Sequence, residues 1–231
     1  MNPLETKGAR RRWLGLAFFA MLPLCAGAQG TIVHRQLSTP NPDPNFPWDA
    51  QGLRLWTLES SYFYLDLDRN GVTDFTFHSG QFSTRGFSMF GSSQNAVFSL
   101  PSLDSHFVVP LASGSVIGPD SSPYEWYLTQ QTPFGPLGAG LTACVDIGCI
   151  GLFTGVESAY AGLQFQIDGQ THYGWVRVGA PLVGANGGWI YEYAYDTRPD
   201  APILAGAVPE PSTWALLGTG GLLFWWYGRR K

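Results

Sequence analysis

Between residues 29 and 206 apolar side chains recur at every second position in short runs, and Gly, Pro, Asn and Asp break those runs before a helical stripe can repeat. Successive side chains of an extended strand point to opposite faces, so this period fits half-buried β-strands. Residues 160–167 put Leu163, Phe165 and Ile167 on one face and Gln164 and Gln166 on the other. Asp168-Gly169 follows, a dipeptide that supplies the positive φ of a two-residue hairpin turn. A strand resumes over 172–178, with Tyr173, Trp175 and Arg177 opposite Gly174, Val176 and Val178. Residues 189–195 continue the habit, placing Trp189, Tyr191, Tyr193 and Tyr195 on one face. Such an aromatic stripe is sheet packing more often than a sugar platform.

Further strands are expected at 53–58, 62–67, 75–78, 96–100, 106–109 and 124–129. Residues 39–47 are rich in Pro, and 114–123 and 179–188 read as long loops. There is no amphipathic helix of useful length and no internal repeat. Many short strands at this spacing predict one all-β domain over 29–206, a β-sandwich or jelly roll, because double-layered or closed sheets let such a chain bury a face. About 180 residues with 15% aromatics are enough for a core.

Both ends differ from this middle. Lys7, Arg10, Arg11 and Arg12 precede an uncharged run over 13–28 that closes in Ala26-Gly27-Ala28. A charged segment, an apolar segment and a small-x-small site make residues 1–28 a secretory signal peptide, with cleavage after Ala28. Leu24 before Cys25 argues against a lipoprotein signal, and Arg11-Arg12 reads as a plain basic segment rather than a twin-arginine signal. At the other end, Val208-Pro209-Glu210-Pro211 leads into an 18-residue uncharged run over 211–228, closed by Arg229, Arg230 and Lys231. About 17–25 apolar residues cross a bilayer, so this run predicts a short transmembrane helix. Its terminal cations prefer the cytoplasmic side and leave everything upstream outside.

Residues 29–210 hold six basic and sixteen acidic residues, a net charge of −10, and no lysine. That charge repels phosphate backbones and excludes nucleic acid as a natural partner; it serves solubility and tolerates divalent cations. Cys144 and Cys149, the cysteines left after the leader, sit close together in a chain bound for an oxidising compartment and predict a small loop disulfide. Zinc is a poor fit, since further Cys or His ligands at metal spacing are missing.

One internal motif carries chemistry. Asp66, Asp68, Asn70 and Asp74 alternate around Gly71, with a carbonyl available at Val72. Oxygen ligands at alternate positions with glycine at the sixth suit calcium. The twelfth position is Phe77, where an EF-hand needs Glu, and the flanks read as strands. The loop is therefore either a calcium-loop variant between strands or an Asn-Gly turn stabilised by its own Asp side chains. Catalytic constellations are thin. His34, His78, His106 and His172 fall in no motif, and Asp104-Ser105-His106 cannot form a relay because adjacent strand residues point apart. Glycosidase pairs drawn from Glu59, Glu125, Glu157 or Glu192 are arbitrary, so no catalytic role is expected.

The order Pro209-Glu210-Pro211, apolar helix and basic stop closely resembles the PEP-CTERM sorting signal of Gram-negative bacteria, here over 207–231. The resemblance implies that exosortase, a membrane transpeptidase-like enzyme, processes the tail near the box. It further implies passage through the export machinery, an inner-membrane intermediate, and delivery to the cell surface or extracellular matrix in association with exopolysaccharide or biofilm. Residues 160–206 resemble more loosely a region often found before that signal. The residues that carry this are His172-Tyr173-Gly174-Trp175-Val176, Tyr193-Ala194-Tyr195 and Pro202-Ile203-Leu204-Ala205-Gly206. A calcium-assisted carbohydrate-binding module is the alternative, favoured if an exposed aromatic shelf lies beside the Asp66–Asp74 loop.

Overall fold

The computed structural model describes residues 32–37, 53–56, 61–209 and 227–228, with internal gaps at 83, 93, 102–105, 121, 129, 133–134, 138, 146–147 and 181–186. The first strands are β1 (Ile32–Gln36), β2 (Leu53–Trp56), β3 (Ser61–Leu65), β4 (Phe75–Phe82), β5 (Thr84–Gly91) and β6 (Ala96–Pro101). Shorter pieces follow: β7 (His106–Val108), β8 (Val116–Ile117), β9 (Glu125–Leu128), β10 (Gln130–Thr132) and β11 (Gly135–Leu137). The last group is β12 (Ala139–Val145), β13 (Gly148–Ile150), β14 (Val156–Ile167), β15 (Gln170–Ala180), β16 (Gly187–Asp196) and β17 (Ile203–Leu204). Among the described residues the protein is all-β apart from Tyr227 and Gly228.

The expected hairpin forms as the alternation requires. Asp168 and Gly169 take φ of 50° and 76°, and Ile167 pairs with Gln170 to close β14 on β15. Strands predicted at 53–58, 62–67, 75–78, 96–100, 106–109, 124–129, 160–167, 172–178 and 189–195 all have counterparts, most displaced by a few residues at an end. β5 and β12 were not anticipated. Outer positions include Gly86, Ser88 and Gly140, and Phe90 adds an apolar residue on the outward side, which blunts the alternation, yet Phe87, Met89 and Leu141 point into the core. Residues 114–123, expected as a loop, contain the two-residue strand β8, which pairs with β17.

Most strands join one curled sheet in the order β1-β16-β15-β14-β6-β7-β12-β5-β4-β3, with β2 on β16, β9 on β6 and β13 on β12. The expected sandwich of two sheets is replaced, among the described residues, by this continuous path. Its inner face still buries a layered core, because strands distant in the order face each other: Phe77, Phe87 and Met89 pack in one cluster with Leu163, Phe165, Val176 and Tyr193. Gly188 on β16 lies directly against β5, since a Cβ there would lie 2.5 Å from the Phe87 ring.

β15 is buried on both faces. Val176 and Val178 face the main core, while Tyr173 and Trp175 join Phe98, Ile117, Ile203 and Ala205 in a second cluster on the other side. The aromatic row of β16 needs correction. The register slips between Arg177↔Glu192 and Val178↔Ile190, so Tyr191 is an extra, bulged residue. Ile190 and Tyr193 consequently share the core face, and Trp189 does not lie on one face with Tyr193 and Tyr195. All four aromatics are buried, which makes the row packing rather than a sugar platform.

Candidate metal centre and exposed tail

The loop between β3 and β4 is set by its inward neighbours. Leu65, Leu67, Phe75 and Phe77 are buried, and Leu65 pairs with Phe75, so residues 68–73 must turn outside the core. Positive φ at Arg69 (64°) and Gly71 (87°) makes the tight turn. The acidic side chains then cap the backbone they leave. Asp66 accepts from the amides of Arg69 (2.7 Å) and Gly71 (2.9 Å). Asp68 accepts from the Asn70 amide and side chain (3.0 and 2.9 Å), and Asn70 Oδ1 accepts from the Val72 amide (2.7 Å). Asp74 accepts from the Leu67 amide at 2.8 Å.

One carboxylate oxygen from each of Asp66, Asp68 and Asp74 lies within 4.8 Å of the other two. An ionised carboxylate offers about four lone-pair sites, so the amide bonds leave capacity for a cation. Asp74 is buried, and its pKa is pushed up to about 6, chiefly by that burial, with Asp68 and Asp66 adding repulsion. The Leu67 amide and Asn95 oppose this rise. Asn95 is a site residue that the sequence motif does not contain. Its Nδ2 donates to Asp74 O (3.1 Å) and Oδ1 (3.4 Å), while its Oδ1 accepts from the Gln166 amide (3.3 Å) and ties the loop to β14. Only its place before β6 signals it, which is too little to find it from sequence. Phe77, at the twelfth position, is fully buried, and both flanks are strands, so the loop is no EF-hand. The Val72 side chain is exposed, compatible with a residue that offers only its carbonyl.

The other candidates separate cleanly. Ser99 Oγ lies 3.4 Å and Glu125 Oε1 3.3 Å from the same nitrogen of His106, Nδ1, whereas a relay needs both ring nitrogens. Glu192 is held between Arg177 (2.7 Å) and His34 (2.9 Å). Cys144 stands directly opposite Cys149 in the β12–β13 register; their side chains are outside the description. Ala26, Ala28, Glu210, Pro211, Arg229, Arg230 and Lys231 lie outside the described residues, as does the apolar run apart from Tyr227 and Gly228. Among the described residues no helix is long and apolar enough to cross a membrane.

At the C-terminal end Ile203 and Ala205 are buried in the second cluster, and Gly206 turns with φ 80°. Val208 and Pro209 then emerge exposed. The family described as the PEP-CTERM protein-sorting motif matches residues 207–231, beginning at this point of emergence. This chain carries a PEP-CTERM sorting motif. The PEP-CTERM tail implies export, membrane-anchored sorting to the surface, and exosortase as processing partner. No curated protein and no solved structure matches the chain.

Proposed function

We propose that this is a non-catalytic surface or matrix protein, exported behind a leader at 1–28 and held briefly in the inner membrane by 211–228. Exosortase processes it at the PEP box, and the β domain then associates with exopolysaccharide. The observation that carries the reading is the sorting motif at 207–231, which starts where the buried Ile203 and Ala205 give way to exposed Val208 and Pro209. A processing enzyme can reach such a segment without unfolding the domain. Glu210→Ala should leave the protein in the inner membrane with its tail intact, followed by fractionation and by mass of the mature chain. Unchanged surface delivery and trimming in that variant would sink the proposal.

The clustered carboxylates favour a second reading, a calcium-assisted carbohydrate-binding module. Three acidic oxygens within 4.8 Å, one on a buried residue, repel each other unless a proton or a cation intervenes. Without the twelfth-position Glu, affinity belongs to the weak class of extracellular modules, roughly 10⁻⁴–10⁻³ M.

A further inference from the structure

The β3–β4–β5 meander hides one face and shows the other. Its inward positions, Phe63, Phe77 and Met89 among them, pack in or against the main core. Its outward positions form two paired rows, Tyr62–His78–Ser88 and Tyr64–Thr76–Phe90. The outward face of an antiparallel sheet is ordinarily polar and charged. Here neither row contains a carboxylate, lysine or arginine, and burial lowers the pKa of His78, which keeps it neutral at neutral pH.

The exposed rings are aligned. Tyr62 is 45% and Tyr64 63% exposed, and their planes lie within 10° of parallel at a centroid distance of 6.3 Å. His78 packs beneath Tyr62 at 4.5 Å and reaches Phe90 at 6.4 Å, so the Tyr62 ring rests on a buried aromatic support. β3 ends the strand order. Tyr64 stands two residues before Asp66, which puts this aromatic shelf beside the acidic loop.

We propose that this face binds a neutral polysaccharide, with sugar rings stacked on Tyr62 and Tyr64 and sugar hydroxyls bonded to Thr76, Ser88 and the tyrosine hydroxyls. Parallel exposed rings flanked by small hydroxyls match a sugar's apolar C–H face and polar rim. The surface is a sheet face rather than a cavity, which suits a polymer over a monosaccharide. A charge of −10 over residues 29–210 disfavours acidic polymers and anionic lipid. The inference rests on the surface-or-matrix reading for access to such a polymer, and it needs no ion in the loop.

The test is native affinity electrophoresis of the detergent-solubilised full chain, in gels containing either hydroxyethylcellulose, a neutral β-glucan derivative, or alginate, an acidic polyuronate. Retardation by the neutral glucan alone is expected. Tyr64→Ala should weaken it roughly tenfold, the scale of one lost aromatic contact, whereas Tyr64→Phe should retain most of it. Glu210→Ala should bind like the unaltered chain, which separates failure of sorting from failure of this site. Free migration of the unaltered chain in the neutral glucan would overturn the proposal, as would equal retardation in alginate or unchanged binding by a folded Tyr62→Ala, Tyr64→Ala double variant. Self-association that is lost in that variant, without glucan binding, would assign the face to a second copy instead.

Discussion

Asp74 sits where three demands on one carboxylate meet: it caps the Leu67 amide, anchors Asn95, and faces Asp66 and Asp68. Its raised pKa has a definite sign in stability. A carboxyl at about 6 in the folded chain and 3.8 unfolded binds more protons when folded between those values. Its contribution is therefore fully present below about pH 4 and lost as pH rises through about 6, on the order of 2–3 kcal/mol. Melting in chelator should show this fall, and Asp74→Asn, which keeps an acceptor oxygen without the charge, should flatten it. Millimolar Ca²⁺ should offset part of the loss, since a bound cation favours the ionised form and binding adds about 0.4–1.4 kcal/mol at a one- to tenfold excess over a Kd in the weak class of extracellular modules. Identical melting profiles with calcium and with chelator at pH 7 would decide for a turn held by its own hydrogen bonds.

At the scale of the element, the β12–β13 hairpin gives the cysteine pair a frame. Directly opposed residues on antiparallel strands have Cα atoms about 4.5 or 5.5 Å apart, and both separations suit a disulfide. Non-reducing peptide mapping of the exported protein should recover Cys144 joined to Cys149. Because the closed loop is short, reduction should cost only about 1–2 kcal/mol. Quantitative alkylation of both thiols before reduction would refute the bridge. The bulge at Tyr191 is the opposite case, an element feature that the sequence conceals. Alternation continues unbroken through 189–195, yet one extra residue reverses the phase midway and directs Tyr193 into the main core beside Ile190.

For the whole molecule, closure of the curl depends on β16 reaching β5. Gly188 permits this because the Phe87 ring occupies the space a side chain would need, with the Gly179 carbonyl 2.9 Å from the same point. Gly188→Leu should therefore destabilise the domain by about 1–3 kcal/mol through overpacking, measured by chemical denaturation. A neutral or stabilising effect would mean that the two limbs of the sheet are not in close contact there. Phe87 itself is fully buried, so the strain cannot be relieved by turning its ring outward without losing core area.

The sequence by itself determined what local chemistry dictates. Period-two alternation made the described domain all-β, Asp168-Gly169 fixed the β14–β15 turn, and the PEP box with its apolar run and basic stop marked the sorting signal. Asp66, Asp68 and Asp74 could likewise be grouped from spacing, because nine residues of one turn must bring them together. Tertiary structure alone decided the rest. That one sheet curls instead of splitting into two follows from contacts between strands far apart in the chain, as at Gly188 and Phe87. Which aromatics are buried and which exposed depended on the same contacts: the row of β16 lies between two packed layers, whereas Tyr62 and Tyr64 lie on the last strand, with β4 on one side and their rings in solvent. Alternation assigns a residue to a face; only packing determines whether another layer covers it.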